Sequence, residues 1–364
     1  MRVLFAPDSY KGTLTSVEVA RALAAGWWRA RPGDTLMHAP LGDGGEGTVY
    51  AIAVSGGWEW QQSGVTGPDF RQASARWLRS SDGQRAYIEL AQASGLSLVD
   101  PARLEPVGAT SEGTGELLRC AIDLGVRRIT LGIGGSATTD GGAGLLRALG
   151  AQMNNDRTWI DLSRLDARLG ETHLRIACDV TNPLLGPTGA AAVYGPQKGA
   201  TPAQVIELDA RLAAFADTLE SATGRRERNT SGAGAAGGVG FGLLCLRDRF
   251  ASLDMVPGID LVAEETDLAV KLAGADLVIT GEGRIDAQTA FGKTALGVAR
   301  RAQAAGVRCI AVGGGVTAEG VAALAAVGAR AVPASDPPMP LADAIAAGAA
   351  PLITCGERLA RQES

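Results

Sequence analysis

Apolar and polar positions along the chain fall into two rhythms. Residues 2–6, 35–39, 277–280, 308–312 and 329–333 are short apolar runs, each followed by glycine and polar residues. Continuous runs of this kind predict parallel strands buried on both faces. Helical repeats lie between them: Thr15 and Glu18 give a capping-box signature ahead of Val19, Leu23 and Trp27 on one face. From residue 58 the rhythm changes. Residues 58–65, 73–78 and 85–90 predict strands joined by turns at Gly67-Pro68-Asp69 and Ser81-Asp82-Gly83, which favours antiparallel pairing. Residues 129–133 and 176–178 predict further strands. Thr201, Pro202 and Gln204 then open a helix carrying Val205, Leu208, Leu212, Phe215 and Leu219; so short a stripe predicts a core-facing helix, not a coiled coil. The five apolar runs therefore build one doubly wound α/β domain from residues 1–57 and 271–364, interrupted by a second α/β domain with a mixed sheet over 58–270. At 364 residues the chain is long enough to bury two cores.

Composition sharpens this picture at one residue type. The chain has 50 glycines, roughly twice the usual ~7%, and they collect where strands give way to helices. The formal charge of −5 and the sequence pI near 5.3 exclude the basic footprint of a nucleic-acid binder or an anionic-membrane binder, and leave a small soluble partner. Cys120, Cys178, Cys245, Cys309 and Cys355 form no CxxC pair and sit in apolar segments, the pattern of reduced thiols in a cytoplasmic protein. The opening MRVLFAPDSYKG reaches proline and charge too soon for a signal peptide.

Candidate chemistry lies in the glycine segments. In ADLVITGEGRIDAQTAFGKTALG (275–297), Gly281 and Gly283 bracket Glu282, so a turn is expected after the apolar run. Glu282, Arg284, Asp286, Gln288 and Lys293 then gather beyond a strand end, where open α/β sheets bind ligands. Gly292-Lys293-Thr294 is not a Walker A loop, because Ala287 stands where its first glycine belongs. The densest glycine loop, GIGGSATTDGGAG (132–144), fits a phosphate cradle: backbone N–H groups joined by the hydroxyls of Ser136, Thr138 and Thr139, with Asp140 as a carboxylate suited to a metal. Its G-x-G-x-x-A spacing also matches a dinucleotide loop but lacks the acidic residue expected about twenty places later. Asp8, Asp43, Glu46, Asp140, Asp179, Glu282 and Asp286 all fall in such segments, enough to hold Mg²⁺ and accept a hydroxyl proton. Lys11, Lys198, Arg284 and Lys293 supply matching positive charge, while His38 and His173 lie outside every loop and read as structural.

These segments coincide with known ones. APDSYKG (6–12), GDGGEGT (42–48), ELAQASGL (89–96), GTGELL (113–118), the 132–144 loop, ACDVTNPLLG (177–186), GPQKGA (195–200), GAGAAGGVGFG (232–242) and TGEGRIDAQT (280–289) occur in this order, and in them the chain resembles the bacterial glycerate kinase family. The resemblance implies a flavodoxin-like doubly wound sheet with an inserted α/β domain. It also implies ATP- and Mg²⁺-dependent phosphorylation of D-glycerate to 2-phosphoglycerate in a cleft between the domains. For such a reaction the candidates for catalysis in this sequence are Asp179, Asp286, Lys11 and Lys293, and those for substrate contact Asp8, Ser9, Arg284, Glu282 and Asn182. Gly134, Gly135, Ser136, Thr138, Gly44, Gly45 and Lys198 would hold nucleotide phosphates, and Asp43, Glu46 and Asp140 the metal. An NAD-dependent hydroxy-acid dehydrogenase and a non-catalytic small-acid sensor are the alternatives, and the oligomeric state stays open, a homodimer included.

Overall fold

Strand Arg2–Phe5 is an interior strand of the first sheet: its Val3, Leu4 and Phe5 are fully buried, and it is paired with a parallel neighbour on each side. In this computed structural model the described residues are 1–364 without Lys11, Asp43, Glu46, Gln288, 290–293, Pro338 and Ser364, and without the side chain of Leu341. The chain divides into two compact units, one of residues 1–43, 50–56 and 259–364, the other of residues 44–49 and 57–258.

The first unit is a parallel sheet in the order Ala329–Pro333, Arg308–Val316, Leu277–Ile285, Arg2–Phe5, Thr35–His38. Counted along the chain this is 2-1-3-4-5, the flavodoxin-like order. Its core joins Phe5, Val19, Leu23 and Trp27 to Ile279, Val312 and Leu359. Helix Ser16–Ala30 starts on the expected capping box, with Thr15 and Glu18 bonding each other's backbone. It packs on helix Ala350–Gln362. There Gly26 and Gly356 let the backbones approach: a Cβ on Gly26 would stand 1.9 Å from the Ile353 carbonyl oxygen, and one on Gly356 2.2 Å from that of Leu23.

Two adjacent strands of this sheet run further than their apolar runs. Leu277–Ile285 and Arg308–Val316 stay paired through Gly281↔Val312, Glu282↔Gly313 and Arg284↔Gly315. The turn expected at Gly281-Glu282-Gly283 is therefore absent, and Glu282 and Arg284 lie on the strand itself. The reason is steric. A Cβ on Gly281 would lie 2.3 Å from the Val312 oxygen, and one on Gly314 2.7 Å from the Gly283 oxygen, so glycine here admits a neighbouring backbone.

The second unit holds a mixed sheet in the order Ser252–Val256, His173–Ala177, Arg128–Gly132, Arg85–Glu89, Gln72–Ser80, Trp58–Thr66. The last three strands pair antiparallel as their turns predict, and the others parallel. Leu131, Ile176, Phe215 and Phe241 anchor its core. Helix Pro202–Thr223 has the expected Thr201–Gln204 capping box and buries Leu208, Leu212, Phe215 and Leu219. The 232–242 glycine segment reads in sequence as a loop leading into a helix, its glycines and alanines being poor in core-facing side chains. Instead it lies largely within helix Ala235–Cys245, kinked by left-handed Ala236, Gly237 and Gly238.

Candidate active site

In the first unit the carboxyl ends of three parallel strands carry the polar residues. Asp8 continues the pairing beyond Arg2–Phe5, its N–H donating to the Gly281 oxygen at 2.8 Å. The Asp8 carboxylate is nearly buried and accepts the Ser9 N–H at 2.6 Å and the Thr294 hydroxyl at 2.6 Å. Thr294 is the first residue of helix Thr294–Ala304, so the acid sits where the helix dipole favours negative charge. Tyr10 is fixed by its hydroxyl, which donates to the Val312 oxygen at 2.8 Å. Burial in this place pushes its phenol well above the usual range. On the neighbouring strand the buried Glu282 accepts the Thr289 hydroxyl at 2.9 Å. Arg284, two residues on, is largely exposed and pairs with Asp286 at 3.2 Å. Asp8, Ser9, Glu282, Arg284 and Asp286 thus belong to one sheet edge.

In the second unit the glycine segments pack on one another. A Cβ on Gly132 would stand 2.4 Å from the Gly44 oxygen, one on Gly134 2.7 Å from the Gly45 Cα, and one on Gly44 2.5 Å from the Ala177 Cβ. These glycines therefore fit backbone against backbone at the ends of strands Arg128–Gly132 and His173–Ala177. Glu89, at the end of strand Arg85–Glu89, completes the arrangement: its carboxylate accepts the N–H groups of Gly47 and Val49 at 3.2 and 2.6 Å, capping helix Thr48–Val54.

The 132–144 loop is held by two buried charges. Lys198, only 2% exposed, donates to the Ser136 hydroxyl at 2.9 Å and the Thr138 carbonyl at 2.6 Å. Burial lowers its amine to about 7, against a smaller upward pull from Asp140. Gly135 lies between these anchors with left-handed φ of 73°. The Thr138 and Thr139 hydroxyls are buried with no hydrogen-bond partner among the described residues. Asp140 has a different role from the metal ligand its sequence position suggests. Its carboxylate accepts the N–H groups of Ser111, Gly142 and Gly144 and the Ser111 hydroxyl, all between 2.8 and 3.1 Å. Both oxygens are thereby engaged in anchoring the loop to residue 111.

Asp179 lies exposed past strand His173–Ala177 and accepts the Gly258 N–H at 2.8 Å. Asn182 braces the segment behind it, donating to the Thr188 carbonyl at 2.8 Å and accepting the Tyr194 hydroxyl at 2.6 Å. Lys11, Lys293, Asp43 and Glu46 lie outside the described residues, as does Gln288. Among the described residues no three His, Cys, Asp or Glu side chains gather as a metal cage. Glu89 and Ser111 were not foreseen. They act on partners 40 and 29 positions away, and the only trace in sequence is an acid or hydroxyl at the edge of an apolar run.

A family model described as the glycerate kinase family matches residues 3–363. The chain is 45% identical over 328 residues to a glycerate kinase of Haemophilus influenzae, covering 86% of each chain. It is 42% identical over 332 residues to a glycerate 2-kinase of Escherichia coli K12, covering 87% of this chain and 86% of that one. A crystal structure described as a glycerate kinase 2 of Salmonella typhimurium LT2 superposes with a TM-score of 0.84 at 40% identity, over 100% of this chain and 98% of the other.

Proposed function

The chain belongs to the glycerate kinase family, and from that premise we propose that it transfers the γ-phosphoryl group of ATP to the 2-hydroxyl of D-glycerate, with Mg²⁺. The reading rests on the family match over residues 3–363. A kinase needs no redox cofactor, so the dehydrogenase and sensor alternatives fall away with the family.

In the proposed reaction the bond from the γ-phosphorus to the ADP oxygen breaks and a bond to the glycerate oxygen forms, while the hydroxyl proton passes to a carboxylate. Asp286 and Asp179 are proposed to orient that hydroxyl and accept the proton. Asp286 is held beside Arg284, and Asp179 is exposed with one oxygen on a backbone N–H. Arg284 is proposed to grip the substrate carboxylate, since its planar fork matches two oxygens. Asp8, Ser9, Glu282 and Asn182 would complete the glycerate contacts. The phosphates would lie on Gly44, Gly45, Gly134, Gly135, Ser136, Thr138 and Lys198, with Lys11 and Lys293 offsetting the charge that develops in transfer. The buried hydroxyl of Thr138, without a partner among the described residues, and the Lys198 amine beside Ser136 support this placement.

Mg²⁺ bound with a nucleotide keeps several waters and needs only one or two protein carboxylates. The lack of a three-residue cage among the described residues is compatible with that chemistry. Asp43 and Glu46 are the residues proposed to hold the ion, both oxygens of Asp140 being engaged by backbone N–H groups. Held there, the ion would supply positive charge that neutralises part of the phosphate charge. Five free thiols favour a cytoplasmic setting, and no helix among the described residues is long and apolar enough to cross a membrane.

The test is phosphorus NMR of the product formed from ATP, Mg²⁺ and D-glycerate. A 2-phosphoglycerate signal that disappears with EDTA is expected. A 3-phosphoglycerate signal would overturn the regiochemistry, and untouched glycerate the substrate.

A further inference from the structure

The segment following strand Leu277–Ile285 is tied back onto that strand by one side chain. Thr289 is fully buried. Its hydroxyl donates to Glu282 Oε1 at 2.9 Å and accepts the Asp286 N–H at 3.1 Å, while its own N–H donates to the Asp286 carbonyl at 3.0 Å. The direction of these bonds is fixed by chemistry: an N–H only donates, so the single hydroxyl proton is left for the glutamate.

We propose that Thr289 is a positioning residue, holding the Glu282 carboxylate and the Asp286 turn as one rigid unit at the edge of the sheet. The proposal rests on the kinase reading for the reaction it serves. A threonine that merely closes the turn needs only its two bonds to Asp286. The third bond, to a buried acid seven positions back on the strand, is unnecessary for a turn and sets the orientation of a polar group at the reacting edge. Bonds relayed through one hydroxyl also strengthen one another. The same device recurs at the other end of residues 290–293. There the buried Thr294 hydroxyl holds Asp8 at 2.6 Å. Two threonine hydroxyls, neither with a charge of its own, thus orient two acids on neighbouring strands.

The test uses the full chain with Thr289→Val, Thr289→Ser, Glu282→Gln and the Thr289→Val/Glu282→Gln double variant. Thr289→Val should speed hydrogen exchange at the Asp286 amide by at least ~10-fold and lower kcat/KM for glycerate by at least ~10-fold, while Thr289→Ser stays within roughly threefold of the parent in both. If Thr289 acts through Glu282, the double variant should be no slower than Glu282→Gln alone, within about twofold. Should Thr289→Val fail to fold, Thr289→Ser and Thr289→Ala take its place, since they differ only by the hydroxyl. An Asp286 amide that exchanges equally with and without the hydroxyl overturns the proposal, as do activity losses that multiply in the double variant. A parent chain inert towards glycerate would overturn the kinase reading instead; the exchange comparison would still decide on Thr289.

Discussion

Lys198 makes a quantitative prediction about stability against pH. Its amine is buried beneath the 132–144 loop, and burial lowers it from an ordinary 10.5 to about 7. Between those values the unfolded chain binds a proton that the folded chain has released, so stability rises with pH through this window. Below pH ~6 both forms are protonated and the contribution is flat. Each unit between the two values is worth ~1.36 kcal/mol. Because the folded amine is itself half titrated near 7, the gain between pH 7 and pH 9 comes to roughly 2 kcal/mol. Lys198→Met keeps the length of the side chain and removes the titration. Urea unfolding of the parent and the variant, followed by tryptophan fluorescence across pH 5.5–9, isolates the term as the difference between the two curves. That difference should widen in the parent's favour by roughly 2 kcal/mol from pH 7 to 9 and stay level below pH ~6. Curves that run parallel across the whole range would refute the reasoning and show that the two acceptors on Lys198 hold its proton as firmly as water does.

Two further substitutions separate anchoring from chemistry. Asp140→Asn places an amide N–H₂ against backbone donors now held by the carboxylate, and should cost about 3 kcal/mol in unfolding free energy. The Mg²⁺ concentration for half-maximal rate of the folded variant should stay put; a large shift with unchanged stability would return Asp140 to the metal. Gly281→Ala would drive a Cβ to 2.3 Å from the Val312 oxygen, and should lower stability by about 3 kcal/mol. A melting temperature within about 2 °C of the parent would show that the two strands separate freely at this point.

The local signals were readable because their causes are local. Thr15 with Glu18 and Thr201 with Gln204 close capping boxes within four residues, and the turns before Gln72–Ser80 and Arg85–Glu89 specify antiparallel pairing by themselves. The α/β class followed from the unbroken apolar runs. What could not be read depends on a partner far along the chain. Gly281 and Gly283 look like punctuation until Val312 is seen against the first and Gly314 against the second, where two glycine segments make room for each other. Asp140 looks like a ligand until Ser111 comes within 2.8 Å of it. At the candidate site, residue types and strand ends were legible, and the first-unit set of Asp8, Glu282 and Asp286 does share one edge. The hydroxyls of Thr289 and Thr294 that hold two of these acids have no sequence signature of their own.

The order of strands in the first sheet sets a timetable for synthesis. Strand Arg2–Phe5 has Thr35–His38 on one side, but its other neighbour, Leu277–Ile285, emerges roughly 240 residues later. At ribosomal speed that is a wait of roughly 10–50 s. Throughout it the most apolar strand of the unit offers one unpaired edge, and the Gly26 face of helix Ser16–Ala30 has no Gly356 to meet. The nascent amino-terminal segment is therefore the part of this chain most exposed to chaperones and to misassembly, and slow translation of the intervening residues would lengthen that exposure in direct proportion.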